Sequence, residues 1–207
     1  MVNEKDWFLY EKEAEKKGYN VICGVDEAGR GPLAGPVFAA AVILKVDDNI
    51  QGLNDSKKVS EKKREQLFSE IKNRAVDYSI AYATEEEIDE LNILNATFLA
   101  MKRAVDSLKM KPQIALIDGN RLPQDLRIPA GAIVKGDSLS ASIAAASILA
   151  KVSRDRLMRK ISETYPGYGF ERNKGYGTKM HIEALIKYGP CKIHRESFLN
   201  KILGSKP

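Results

Sequence analysis

Four acidic residues sit where apolar segments run out. Asp26 follows Val21-Ile-Cys-Gly-Val25 and is succeeded at once by Glu27. Asp118 closes Ile114-Ala-Leu-Ile117 and precedes Gly119-Asn120. Asp137 follows Ile133-Val-Lys-Gly136 and precedes a stretch rich in Ala and Ser. If the strands are neighbours, their ends converge, and carboxylates brought that close repel unless cations neutralise them. Hard oxygen donors, with water and phosphate oxygens completing the shell, suit Mg²⁺ or Mn²⁺. Each acid also has an ordinary explanation. Asp137 is a natural N-cap for a helix beginning at Ser138. Asp118 before glycine is a common turn pair, and Asp26-Glu27 are plain loop acids on the same logic. Adjacent strand residues face opposite sides of a sheet, so Asp26 and Glu27 share a site only where the strand bends or ends. Gly24 and Gly29 allow such a departure. The joint pattern says more than any one member.

Two glycine-containing segments carry a second kind of chemistry. Gly29-Arg30-Gly31 combines backbone that approaches a ligand closely with a fixed charge suited to phosphate. It reads equally as a tight connection between strands, stiffened by Pro32 and Pro36. Tyr165 to Thr178 interleaves tyrosines with Gly, Arg172 and Lys174. Such a segment suits stacking on a base or sugar beside phosphate contacts, with Tyr176 the first choice. The alternative is a Tyr/Gly loop that packs on the domain.

The charge distribution is uneven. Residues 151–207 hold 13 Lys and Arg against 5 Asp and Glu, whereas residues 1–150 hold 20 against 23. A basic end on a mildly acidic body fits a polyanionic partner, or a solvated surface. With only His181 and His194, chemistry built on histidine clusters is disfavoured, and two cysteines make no disulfide framework. Cys23 lies in an apolar run and reads as a small hydrophobe. No apolar run nears the roughly 18 residues of a membrane span. Met1 to Asn20 is highly charged and lacks the apolar core of a secretory signal, so a cytoplasmic location is expected.

The elements that must position these residues follow from periodicity. Val21–Val25, Val37–Lys45, Asp77–Thr84, Gln113–Ile117 and Ala132–Lys135 read as strands, the first two as antiparallel neighbours. Helices are expected over Glu61–Arg74, around Phe98, Met101, Val105 and Leu108, and over Ser138–Ile161. Thr84 with Glu87 forms a capping box, and Thr178 caps a helix that stops at Gly189-Pro190. The 207 residues predict one domain: a helix within about 1–20, a mixed five-stranded α/β sheet flanked by helices, and a basic helical portion over about 151–207.

These residues also carry a resemblance. Gly24 to Val37 (GVDEAGRGPLAGPV) looks like the signature segment of the type 2 ribonucleases H. Asn54-Asp-Ser-Lys57, Ile117-Asp-Gly-Asn120, Lys135-Gly-Asp-Ser138, Ser140 to Arg156 and Tyr165 to Thr178 follow in that family's order. The resemblance spans roughly residues 20 to 190. It implies a ribonuclease H-like fold and two divalent ions, Mn²⁺ or Mg²⁺, on Asp26, Glu27, Asp118 and Asp137. It implies an endonuclease that hydrolyses the RNA strand of RNA/DNA hybrids. Such an enzyme also cuts 5′ to ribonucleotides embedded in duplex DNA, leaving 3′-hydroxyl and 5′-phosphate ends. Gly29, Arg30 and Gly31 then contact the ribonucleotide and its 2′-hydroxyl, and Tyr176 lies against the sugar on the 3′ side of the cut. Asp55, Ser56, Lys57, Asn92, Asn95 and Lys135 are further candidates for substrate contacts, and Asp155 for support. The strand carrying Asp26 begins near residue 21, which leaves no room for the extra N-terminal domain of the HIII branch. The Arg30-containing loop likewise matches HII. A monomer is expected, with a replication-clamp contact through the last dozen residues. The competing readings are a non-catalytic hybrid-binding module and a related metal-dependent DNA phosphodiesterase.

Overall fold

The computed structural model describes residues 6–57 and 59–204. After α1 (Leu9–Lys16) come β1 (Ile22–Ala28), β2 (Val37–Ile43), α2 (Glu61–Arg74), β3 (Asp77–Ala83) and α3 (Glu85–Asp106). Then follow β4 (Ile114–Asp118), β5 (Ala130–Ile133), a 3₁₀ turn (Gly136–Ser138), α4 (Ala141–Thr164), α5 (Phe170–Asn173), α6 (Lys179–Tyr188) and α7 (Glu196–Leu203). The strands form one sheet in the order β3-β2-β1-β4-β5. β1 pairs antiparallel with β2 and parallel with β4, so the sheet is mixed as expected. Among the described residues no helix is long and apolar enough to cross a membrane.

The sheet has two covered faces. On one, Ala40 and Val42 of β2 pack with Ala144, Ala145 and Ile148 of α4. On the other, Val25, Ala39 and Ala41 pack with Ala96, Ala100 and Met101 of α3. All seven residues of β2 are buried, and its three alanines let both helices come close. Burial pushes the Cys23 thiol up to about 12, so it packs as a neutral apolar group. In β3 the small side chains mark the more buried face. Ser79 and Ala83 are buried, whereas Tyr82 stays half exposed and stacks on Phe38 at 5.4 Å.

Helix ends follow the sequence signals. Thr84 and Glu87 close the capping box of α3, and the Thr178 side chain accepts from the His181 amide to start α6. Three expectations need correction. β1 does not end before Asp26 but continues through Ala28, because Asp26 and Glu27 pair with Ala40 and Ala39 of β2. β5 begins earlier, at Ala130, and stops before Val134 and Lys135. The long helix starts at Ala141, and its cap is Ser140, whose hydroxyl accepts from the Ile143 amide at 3.3 Å. Asp137 therefore caps no helix and sits in the 3₁₀ turn instead. After residue 150 the described chain has no strand, only an isolated bridge between Ala34 and His194.

Candidate active site

Strand register brings the first acids together. Parallel pairing of Val25 with Ile117 makes Asp26 and Asp118 the next residues along adjacent strands. Gly24 lies on the same face of β1 as Asp26, and α4 presses directly on it. A Cβ at Gly24 would stand 2.2 Å from the Ser142 carbonyl carbon. The missing side chain thus sets how closely the N-terminal half of α4 lies over the acids. Asp118 then fixes the next carboxylate, since its Oδ1 accepts from the Gly136 amide at 2.7 Å and the Asp137 amide at 3.4 Å.

A cavity of about 200 Å³ opens between these groups. Asp26, Glu27, Asp118 and Asp137 line it, and Gly29, Arg30, Gly31, Ser56, Lys57 and Tyr176 line it as well. The structure does not bring Asn92 or Lys135 to it. Asn92 breaks α3 with φ 68°, and its Oδ1 accepts from the Leu94 and Asn95 amides, so the side chain caps the second half of the helix. Lys135 holds a left-handed turn with its side chain exposed. Asn95 lines a separate groove of about 610 Å³ between α3 and residues 121–125. Sequence reasoning missed Ser147 and Lys151, which face the cavity one turn apart on α4. The i, i+4 polar pair in an otherwise small, apolar helix face was the available signal.

The electrostatics of the acids explain one another. Burial, then the charges of Glu27 and Asp118, hold the Asp26 carboxyl well above its ordinary range, against a smaller pull from Ser147 and the Glu27 amide. Burial also raises Glu27, which Arg30 and Lys57 partly offset while Asp118 adds to it. The Arg30 guanidinium reaches Glu27 Oε1 at 3.5 Å. Asp137 is raised by burial, by Asp118 and by Asp55, and Lys57 opposes them. Lys151 is held by Asp155 at 2.7 Å, and Asp155 itself does not line the cavity.

Does this donor set fit a divalent cation? Among the described residues no three His, Cys, Asp or Glu groups close into a ready-made ligand cluster. The acids ring the cavity instead of meeting at one point. Their chemistry nevertheless fits, because the facing donors are hard carboxylate oxygens without imidazole or thiolate. Burial, with the charge of neighbouring carboxylates, raises Asp26, Glu27 and Asp137, and a bound cation would favour their ionised forms.

Beside the acids the same cavity has a wall of another kind, made of loop backbone and one aromatic ring. Gly29 has φ +99°, and a Cβ there would meet the Arg154 side chain at 2.0 Å. Tyr176 is 42% exposed, its ring 3.7 Å from where a Gly31 Cβ would lie. The Arg154 guanidinium stands 6.0 Å from the centre of that ring. Two cations of the basic C-terminal portion, Arg154 and Arg195, are buried and so cannot meet phosphate.

Comparison with known proteins agrees with this fold. The ribonuclease HII family model matches residues 23–201. The ribonuclease HII of Caldicellulosiruptor saccharolyticus is 57% identical over 97% of each chain. That of Clostridioides difficile is 56% identical over 94% of this chain and 76% of its own. Among solved structures, ribonuclease H2 of Pyrococcus horikoshii is similar with a TM-score of 0.70 and 30% identity, covering 86% of this chain and 93% of that one. RNase HII of Archaeoglobus fulgidus, solved as a complex with PCNA, gives 0.69 and 28%, covering 85% and 94%. RNase HIII from Bst, solved with Mn²⁺, shares the fold at a TM-score of 0.66 and 19% identity over 82% of this chain and 63% of its own. The chain belongs to the ribonuclease HII family, endonucleases that hydrolyse RNA within RNA/DNA hybrids.

Proposed function

We propose that this enzyme also cuts on the 5′ side of single ribonucleotides embedded in duplex DNA, using divalent cations held by Asp26, Glu27, Asp118 and Asp137. The observation that carries the reading is one cavity lined both by the four carboxylates, here termed its floor, and by Gly29, Arg30, Gly31 and Tyr176, its wall. A pair of bound Mg²⁺ or Mn²⁺ ions supplies Lewis-acid stabilisation of the attacking and leaving oxygens during in-line displacement at phosphorus. Asp118 contributes twice, because it is also the acceptor that fixes the Gly136-Asp137 turn. Lys57 and Lys151 place positive charge beside the acids and suit the phosphates that flank the cut. The nucleophile is water, so the products carry 3′-hydroxyl and 5′-phosphate ends.

The 2′-hydroxyl is the group that separates RNA from DNA at a given position. A backbone loop reads it without reading a base, so cutting is expected to be nearly independent of sequence. The same reading includes a monomer and a sliding-clamp contact through the last dozen residues. Within these, α7 is described, and residues 205–207 lie outside the described residues.

The test is a labelled DNA duplex with one embedded ribonucleotide, beside an all-DNA duplex, each with Mn²⁺, Mg²⁺ or chelator. A single metal-dependent cut 5′ to the ribonucleotide, absent from the control, supports the reading. Cutting of both duplexes replaces it with a general phosphodiesterase, and binding without cutting leaves a hybrid-binding module.

A further inference from the structure

His194 and Arg195 lie on neither the floor nor the wall, yet both are buried, Arg195 completely. The bridge between Ala34 and His194 delivers them behind the wall. Arg195 spends its whole guanidinium on backbone carbonyls of one loop. Nε donates to Gly35, Nη1 to Arg30 and Pro32, and Nη2 to Gly29 and Gly35, at 2.6–2.9 Å. Arg154 reaches the same loop from α4. It donates to the carbonyls of Pro36 and Ala34 at 3.0 Å and to that of Lys174 at 2.9 Å. Among the described residues neither guanidinium has a carboxylate at ion-pair distance. Burial lowers Arg195 to about 9, so it keeps its proton at neutral pH.

Burying two cations without a paired anion is unfavourable, and apolar side chains fill such space more stably. What a guanidinium adds is direction, because its planar fork fixes each carbonyl it holds. Peptide planes are trans, so each N–H points opposite to its C=O. With the Gly29 and Arg30 carbonyls held by Arg195, the amides of Arg30 and Gly31 point away from it. Among the described residues those two amides have no acceptor.

His194 braces the other half of the wall. The Cys191 amide donates to His194 Nδ1 at 2.9 Å, which places the His194 proton on Nε2. That proton faces His181 Nε2 at 3.1 Å, and His181 Nδ1 in turn donates to the Tyr176 carbonyl at 2.9 Å. One neutral chain thus runs from the C-terminal segment to the backbone of Tyr176. The Leu33 amide, donating to the Gly175 carbonyl at 2.8 Å, ties the two halves together.

We propose that His194 and Arg195, together with Arg154, are positioning residues that set the preference of this enzyme for ribose. They hold the Gly29–Gly31 backbone and the Tyr176 ring side by side at a fixed spacing on the cavity lining. The inference rests on the proposed reading of that wall.

The test compares wild type with Arg195→Lys, which keeps the charge but loses the fork, and with His194→Gln. Readouts are melting temperature, kcat and KM on a one-ribonucleotide duplex and on a full RNA/DNA hybrid, cut position, and the ratio of affinities for one-ribonucleotide and all-DNA duplexes. Folded variants are expected to lose about tenfold or more of the affinity ratio, with kcat falling more than KM rises and cuts spreading from the 5′ position. A merely structural role predicts equal losses of affinity for the one-ribonucleotide and all-DNA duplexes with unchanged cut position, and that result overturns the proposal. If Arg195→Lys fails to fold, His194→Gln decides alone. A wild type without ribose preference overturns the functional reading itself. Wild-type preference retained in the variants overturns only this inference.

Discussion

Asp26 and Asp118 reach the cavity from neighbouring positions on two paired strands, whereas Gly29–Gly31 and Tyr176 reach it from loops that the sheet does not hold. The acids need only the β1–β4 register and the approach of α4 over Gly24. The loops need eight hydrogen bonds from two buried arginines and a pair of histidines drawn from the far end of the chain. Regular structure suffices to collect charge, because a ladder repeats its geometry residue by residue. Holding irregular backbone requires a dedicated partner for each carbonyl.

The contrast breaks most sharply at Asp118. Asp118→Asn is expected to lower cleavage by roughly a thousandfold on every substrate. It should leave ribose preference in binding intact, since the wall is untouched. Residual cleavage near wild type, or lost binding preference, would merge the two regions into one. The next effect is on stability. Gly24→Ala drives a methyl into the backbone of Ser142 and Ile143, which cannot move like a side-chain tip. A loss of about 3 kcal/mol is expected in denaturant unfolding, together with activity, because the acid floor depends on that close approach.

A pH titration separates the regions by sign. Burial lowers His194 from 6.5 to about 4, so the unfolded chain binds the proton more readily. The stabilisation from the neutral ring is complete above pH 6.5, falls as pH drops toward 4, and amounts to about 3 kcal/mol at most. The raised carboxyls of Asp26, Glu27 and Asp137 act oppositely, since the folded state takes up their protons first. The difference in unfolding free energy between wild type and His194→Gln, followed from pH 7 to pH 4, isolates the imidazole. It should shrink steadily on acidification, and a constant difference would contradict a neutral buried pair. The smallest effect belongs to Tyr176. Replacement by Ala should reduce kcat/KM on the one-ribonucleotide duplex by about tenfold through lost ring contact. Replacement by Phe should change it little, and a large effect of Phe would give the hydroxyl a role that ring contact does not explain.

The same division governs what the sequence disclosed. The acids were legible because an Asp ending an apolar run is a local signal, and five local runs predicted five strands. The reach of β1 through Glu27 was not, since Ala39 and Ala40, which pair with those acids, lie across a loop. The cap at Ser140 was hidden because Asp137, just before Ser138, offered an equally good local cap. Arg154 and Arg195 read as surface charge, because composition cannot tell a guanidinium facing phosphate from one facing carbonyls. Ser147 and Lys151 left only the weak signal of a polar i, i+4 pair, which the inward face of α4 turns into two cavity residues.

The bridge from Ala34 to His194 has a consequence for biosynthesis. A chain emerging from the ribosome exposes β1, β4 and the start of α4 well before residue 195 appears. The carboxylate floor is thus assembled from segments made earlier than the groups that orient its wall. Until residue 195 is synthesised, a nascent molecule can bring its carboxylates together but lacks the guanidinium that holds the carbonyls of Gly29, Arg30, Pro32 and Gly35.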